Sequence, residues 1–150
     1  FNTLVLNAAT TVSTGFNVRG GGGADQITTG AGNDTINAGA GNDIIVSNAG
    51  NDTIDGGAGN DTITGGAGAD TIQGGAGNDI MILTVDQFST ENDVIDGGPA
   101  EGRDTLRIIG SGSVADVGFN ARFTNIDVVE LDGGVFTFNA GSFSQTAGIR

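Results

Sequence analysis

Aspartate recurs every nine residues, at Asp25, Asp34, Asp43, Asp52, Asp61, Asp70 and Asp79. Two positions after each stands a large apolar residue: Ile27, Ile36, Ile45, Ile54, Ile63, Ile72 and Met81. Two positions before each stands glycine: Gly23, Gly32, Gly41, Gly50, Gly59, Gly68 and Gly77. Seven tandem nonapeptides therefore fill residues 20–82, the most regular being GGAGNDTIT (56–64) and GGAGADTIQ (65–73). A fixed period of this kind marks a repeat architecture, because one short unit cannot bury its apolar side chain alone and must stack on its neighbours.

Each position has a physical reading. The fourth is always glycine, which implies a backbone conformation closed to residues with a Cβ. The second is glycine except at Asn48, and asparagine is the substitute that best tolerates left-handed geometry. The last three residues read polar–apolar–polar in most copies, a short strand with one side chain turned to a core. Each repeat is thus expected to be a six-residue turn followed by a three-residue strand. A chain that reverses every nine residues completes a coil every 18. Alternate repeats then lie over one another about 4.8 Å apart, and the inward isoleucines of the two sides meet in a thin core.

Composition narrows the chemistry. The 150 residues include no cysteine and no histidine, and the five basic residues are all arginine. Disulfides, thiolate nucleophiles, zinc–sulfur sites and histidine-based acid–base chemistry are excluded, as is a phosphate loop that needs lysine. The net charge of −13 disfavours nucleic acid and anionic lipid and suits hard cations that take oxygen ligands. No apolar run approaches the length of a membrane span. Repeats 20–82 hold eight acidic residues, counting Asp55, and no basic one. Such a segment with so thin a core is expected to stay expanded unless a divalent cation neutralises it.

The pattern GGxGxDxUx, with U large and apolar, resembles the repeat-in-toxin (RTX) nonapeptide. The resemblance implies an all-β fold, a right-handed parallel β-roll (a β-solenoid), with calcium between stacked turns. It also implies the ligands: position-six aspartates from two stacked turns, first- and third-position carbonyls of one turn, and second- and fourth-position carbonyls of the other. Carried onto this sequence, Asp25, Asp43, Asp61 and Asp79 form one edge, and Asp34, Asp52 and Asp70 the other. The carbonyl donors would be those of Gly21, Gly23, Gly30, Gly32, Ala38, Gly39, Ala40, Gly41, Ser47, Asn48, Ala49, Gly50, Gly56, Gly57, Ala58, Gly59, Gly65, Gly66, Ala67, Gly68, Gly74 and Ala76. Stacked neighbours on the two edges give about five ions within the regular repeats. Thr29, Ala38 and Ser47 at position one and Asn48 at position two depart from the pattern, but a carbonyl ligand does not depend on its side chain.

The flanks divide the chain. Residues 1–19 are expected to form an N-terminal flanking coil, with a strand at Phe1–Leu6 and another at Asn17–Arg19 in register with the repeats. Residues 83–107 read as degenerate repeats: a strand over Ile80–Thr84 leads to a polar loop near Asp86–Asn92. Asp93 then precedes Ile95 by two, and GGPAEGRDTLR (97–107) is a copy with two residues inserted, ending in Asp104 and Leu106. Asp93 and Asp104 are therefore further candidate ligands. Residues 108–150 lose the period and gain phenylalanine, and are expected to be a C-terminal β cap with strands at Ile126–Leu131 and Val135–Phe138. The outward pairs Ile44/Val46 and Ile80/Ile82 fall on one sheet. The expectation is that residues 108–150 cover the second pair and that the first is left partly exposed.

The functional expectation is a calcium-binding module, not an enzyme, that folds on calcium outside the cell. It would belong to a larger secreted or cell-surface bacterial protein of surface-layer or adhesin type, exported by a type I system. Neighbouring modules or further copies would be its partners, with no nucleic acid and no membrane insertion. The alternative is the C-terminal secretion and folding module of a secreted hydrolase (protease, lipase or epimerase). Sequence upstream of Phe1 discriminates the two, through a catalytic motif or further repeats. The chain begins without methionine, which is expected of a fragment of a longer protein.

Overall fold

A computed structural model describes residues 2–5, 14–99, 102–114, 122–133, 136–138 and 148–149. Successive strands alternate between two parallel sheets, as a chain reversing every nine residues must. The first sheet runs in the order β1 (Asn2–Val5), β3 (Asp25–Thr28), β5 (Ile44–Val46), β7 (Thr62–Thr64), β9 (Ile80–Thr84), β11 (Thr105–Ile109), β14 (Val128–Asp132) and β16 (Gly148–Ile149). The second runs β13 (Phe123–Thr124), β10 (Val94–Asp96), β8 (Thr71–Ala76), β6 (Thr53–Ala58), β4 (Thr35–Ala40) and β2 (Asn17–Gly22). A separate parallel pair joins β12 (Gly112–Val114) to β15 (Phe136–Phe138).

The register repeats the 18-residue coil: Ile36 pairs with Ile54 and Ile54 with Ile72 in one sheet, Ile27 with Ile45 and Ile45 with Ile63 in the other. Two facing rows of side chains make the core. One is Ile27, Ile45, Ile63, Met81, Leu106 and Val129; the other is Val18, Ile36, Ile54, Ile72, Ile95 and Phe123. Through the regular repeats each row supplies one inward residue per coil, so the core there is two side chains thick; β9 and β11 add Leu83 and Ile108. Position-four glycines from Gly23 to Gly77 all have positive φ, and Asn48 takes φ 74° in the second position. The tolerance of asparagine for this region is what lets it stand there.

Both flanks continue the roll. β1 pairs Leu4 with Ile27, and β2 pairs Val18 with Ile36, so both strands lie in register with the repeats. At the other end β11 lies on β9 with Leu106 on Met81, which carries the first sheet past the regular repeats. β13 and β14 then extend the two sheets into residues 108–150, so that segment begins as continued stack. Phe119 and Phe143 lie outside the described residues.

Three expectations need correction. The polar loop at Asp86–Asn92 is in part a helix, α1 (Val85–Thr90). It starts with a capping box: Thr84 Oγ1 accepts from the Gln87 N–H at 3.3 Å, and Gln87 Oε1 accepts from the Thr84 N–H at 2.6 Å. Val85 and Phe88 bury its apolar face. Second, four strands of the second sheet, β2, β4, β6 and β8, run six residues where three were expected. There the ladder continues through the turn, pairing Gly39 with Gly57 and Ala40 with Ala58. On the opposite edge it shrinks to isolated bridges at Ala31, Ala49 and Ala67. Side chains take part in the bonding there: Thr29 Oγ1 donates to the Ser47 carbonyl at 3.0 Å, and Ser47 Oγ to that of Gly65. Third, Ile80 and Ile82 are half-buried rather than buried, while Ile44 is 46% exposed.

Candidate metal centre

Stacking in register places the aspartates in two columns. In the first, each backbone N–H donates to Oδ1 of the aspartate in the next coil: Asp25 to Asp43 (2.7 Å), Asp43 to Asp61 (2.8 Å), Asp61 to Asp79 (2.8 Å) and Asp79 to Asp104 (2.9 Å). In the second, Asp34 donates to Asp52 (2.7 Å), Asp52 to Asp70 (2.8 Å) and Asp70 to Asp93 (2.8 Å). All nine are 4% exposed or less. Asp93 and Asp104 thus join opposite columns, and the longer steps of 23 and 25 residues absorb α1 and the two-residue insertion.

The turns stack as closely as the aspartates. A Cβ added to Gly57 would lie 2.0 Å from the Gly39 carbonyl oxygen; one on Gly75 would lie 2.0 Å from that of Gly57, and one on Gly98 1.9 Å from that of Gly75. On the other edge, Gly66 sits on Asn48, and Gly50 and Gly68 sit on Gly32 and Gly50. Each aspartate also folds back over the first residue of its own turn. A Cβ on Gly56, Gly65 or Gly74 would come within 2.6, 2.3 or 2.6 Å of Oδ2 of Asp61, Asp70 or Asp79.

Only one oxygen of each carboxylate is used in this bonding. Oδ2 of Asp34, Asp43, Asp52, Asp61, Asp70, Asp79 and Asp93 is buried with no hydrogen-bond partner. Rows of buried carboxylate oxygens, wrapped in turns rich in backbone carbonyls, are the donor set a calcium ion takes. Among the described residues no three acidic side chains gather into a cage, so the carboxylates come as stacked pairs. The pairs fit a calcium ion held by two aspartates and completed by carbonyls.

Burial pushes these groups up from the ordinary carboxylate value of 3.8: Asp61 and Asp93 to about 6, Asp70 to about 7, and Asp52, Asp79 and Asp104 in the same direction. Neighbouring carboxylates push the same way, and the backbone N–H bonds oppose it. The folded, ion-free chain therefore holds protons that the unfolded chain releases near pH 4. Its stability from these groups is full below that pH and is lost as pH rises through 6–7. Calcium-free protein should accordingly show more strand by circular dichroism at pH 4 than at pH 8, whereas calcium affinity should weaken on acidification below about pH 7. Calcium-free strand content that rises with pH would contradict this assignment of the carboxylates.

Residues 19–54 and 46–81 match the family model of the RTX calcium-binding nonapeptide repeat (4 copies). Residues 19–81 are RTX repeats. RTX nonapeptides bind calcium and form a structural repeat, not a catalytic centre. No curated protein and no solved structure matches the chain. No helix among the described residues is long and apolar enough to cross a membrane.

Two residues beyond the RTX repeats join the stack without a repeat motif of their own. Asp127 extends the first column, accepting the Asp104 N–H on Oδ2 at 2.9 Å. It precedes the buried Val129 by two, the spacing of the repeat, but no glycine-rich turn announces it. Arg122 lies beside the second column, donating to the carbonyls of Phe88 at 3.2 Å and Glu91 at 2.7 Å.

Proposed function

We propose that this chain is a right-handed calcium-binding β-roll module that folds on meeting calcium outside the cell. It serves as part of a larger secreted or cell-surface bacterial protein of surface-layer or adhesin type. The observation that carries the calcium reading is the double column of buried Oδ2 atoms without partners. Calcium between stacked turns gives each such oxygen a ligand bond and cross-links coils that otherwise share only a thin core. About five ions fall within the RTX repeats, held by Asp25, Asp34, Asp43, Asp52, Asp61, Asp70 and Asp79 with the carbonyls of their turns. Asp93 and Asp104 add one interstice to each column. Weak extracellular sites, with dissociation constants on the order of 10⁻⁴–10⁻³ M, suit a chain that stays extended for export and folds outside. Residues 1–19 then act as a flanking coil, 83–107 as degenerate repeats, and 108–150 as a C-terminal cap that closes the open end of the roll.

Counting ions tests the reading. Asp61 has an aspartate neighbour on both sides, Asp43 and Asp79, whereas Asp25 has Asp43 on one side and Asn2 in register on the other. By native mass spectrometry in saturating calcium, Asp61→Ala should lose about two ions and Asp25→Ala about one. Equal losses would argue against ions shared between coils, and a wild-type chain with no bound calcium would end the proposal.

A further inference from the structure

The second column departs from its repeat between Asp70 and Asp93. On one side is an RTX turn, residues 65–69; on the other the chain runs through α1 and reaches Asp93 by way of Glu91 and Asn92. The helix reproduces part of a turn. Gln87 Nε2 donates to the Gly66 carbonyl, as one coil earlier the Ala67 N–H donates to the Asn48 carbonyl. Asp93 reproduces the position-six aspartate, with Oδ1 taken by the Asp70 N–H and Oδ2 buried without a partner.

The carbonyls are not reproduced. Glu91 stands two residues before Asp93, where every RTX repeat has glycine, and takes an extended backbone (φ −89°, ψ 156°) instead of positive φ. Its carbonyl accepts from Arg122 Nη1 at 2.7 Å, and that of Phe88 accepts from Arg122 Nη2 at 3.2 Å. A guanidinium therefore holds carbonyls that a nonapeptide turn would leave for a cation. What this segment brings in exchange is a carboxylate: Glu91 Oε2 is buried with no hydrogen-bond partner. Its charge is among those that raise both Asp70 and Asp93.

We propose that the Asp70–Asp93 interstice binds a divalent cation through an altered donor set, in which the Glu91 side chain replaces backbone carbonyls lost to the helix. This rests on the reading of the stacked aspartates as calcium ligands. The three carboxylates are not gathered in this structure, so the proposed site requires Glu91 to close on the aspartate pair by rotation about its own side-chain bonds. With three carboxylates in place of two, this site carries more ligand charge than a turn site held by an aspartate pair alone. Affinity rises with ligand charge, so it fills at lower calcium than the turn sites.

The test is calcium counting on the whole chain across a calcium titration, with native mass spectrometry for ion number and circular dichroism for fold. Wild type should take up one ion ahead of the rest. Glu91→Gln should lose that early ion, its affinity falling about tenfold, while the later ions bind unchanged. If glutamine at 91 prevents folding in saturating calcium, Glu91→Asp decides: its shorter side chain should weaken the early ion, and an unaltered early ion would overturn the inference. Glu91→Gln titrating as wild type at every calcium concentration would overturn it as well, with the turn sites intact. A wild-type chain that binds no calcium would instead sink the reading beneath it.

Discussion

In excess chelator at neutral pH the RTX strands between Asn17 and Thr84 should be largely absent from the far-ultraviolet circular dichroism spectrum, and millimolar calcium should restore them cooperatively. Neighbouring carboxylates in a column lie about one strand spacing apart, and two charges at about 5 Å repel by roughly 3 kcal/mol at an effective dielectric of 20. Each buried Oδ2 without a partner adds about 1–3 kcal/mol of unmet desolvation, at seven aspartates. Against this stands a core only two side chains thick, while glycine gives up more conformational freedom on folding than any other residue. Calcium reverses the first two effects at once, because each ion neutralises two aspartates and becomes the missing partner of both. The transition should be steep, since an aspartate in mid-column serves two ions and each bound ion orders the turn that its neighbour needs. Magnesium should restore little strand, because it demands a small octahedral shell and gives up its water reluctantly. A spectrum in chelator equal to that in calcium would mean that the stack holds itself together without the ion.

The nonapeptide period carried most of this architecture into view. A turn every nine residues dictates an 18-residue coil, and Ile36, Ile54 and Ile72 stack as that coil requires. Even the two-residue insertion before Asp104 was legible, because Gly97, Gly98 and Gly102 still meet Gly74, Gly75 and Gly77 across it. Where the period lapses, the reading lost its instrument. A six-residue helix is too short for an apolar periodicity, and α1 declares itself only through the local pair Thr84 and Gln87. Asp127 has the aspartate-to-apolar spacing without the glycines that make it conspicuous, and Arg122 acts through carbonyls that no sequence pattern marks. The column to which Asp93 and Asp104 belong follows from alternation between edges, a property of the coil and not of either residue.

A single methyl group in the middle of the first edge should be among the most damaging substitutions available. Gly57 has φ +100°, and a Cβ there would lie 2.0 Å from the Gly39 carbonyl oxygen and 2.8 Å from its carbon. Those atoms are backbone in a ladder fixed on both sides, so they cannot yield as the end of a side chain would. Gly57→Ala therefore meets two obstacles: positive φ in a residue with a Cβ, about 1–3 kcal/mol, and a steric conflict that forces adjacent coils apart. Forcing them apart also spoils the carbonyl positions around the neighbouring interstices. Two other glycines separate the contributions. Gly21 has φ +122° with nothing within 4 Å of an added Cβ, so Gly21→Ala carries the conformational cost alone. Gly22 has neither, and stands at the third position, where the other repeats have alanine: Ala31, Ala40, Ala49, Ala58, Ala67 and Ala76. In a calcium titration followed by circular dichroism, Gly22→Ala should match wild type and Gly21→Ala should need modestly more calcium, about twofold, because a cost of about 1–3 kcal/mol is spread over all the ions taken up on folding. Gly57→Ala should need clearly more calcium than Gly21→Ala or fail to fold, since each tenfold shift of the midpoint represents about 1.4 kcal/mol for every ion taken up on folding and the steric penalty adds to the conformational one. If Gly57→Ala and Gly21→Ala shifted the midpoint equally, close approach between coils would not be what constrains the turn, and the stacked geometry on which the ion sites depend would be wrong.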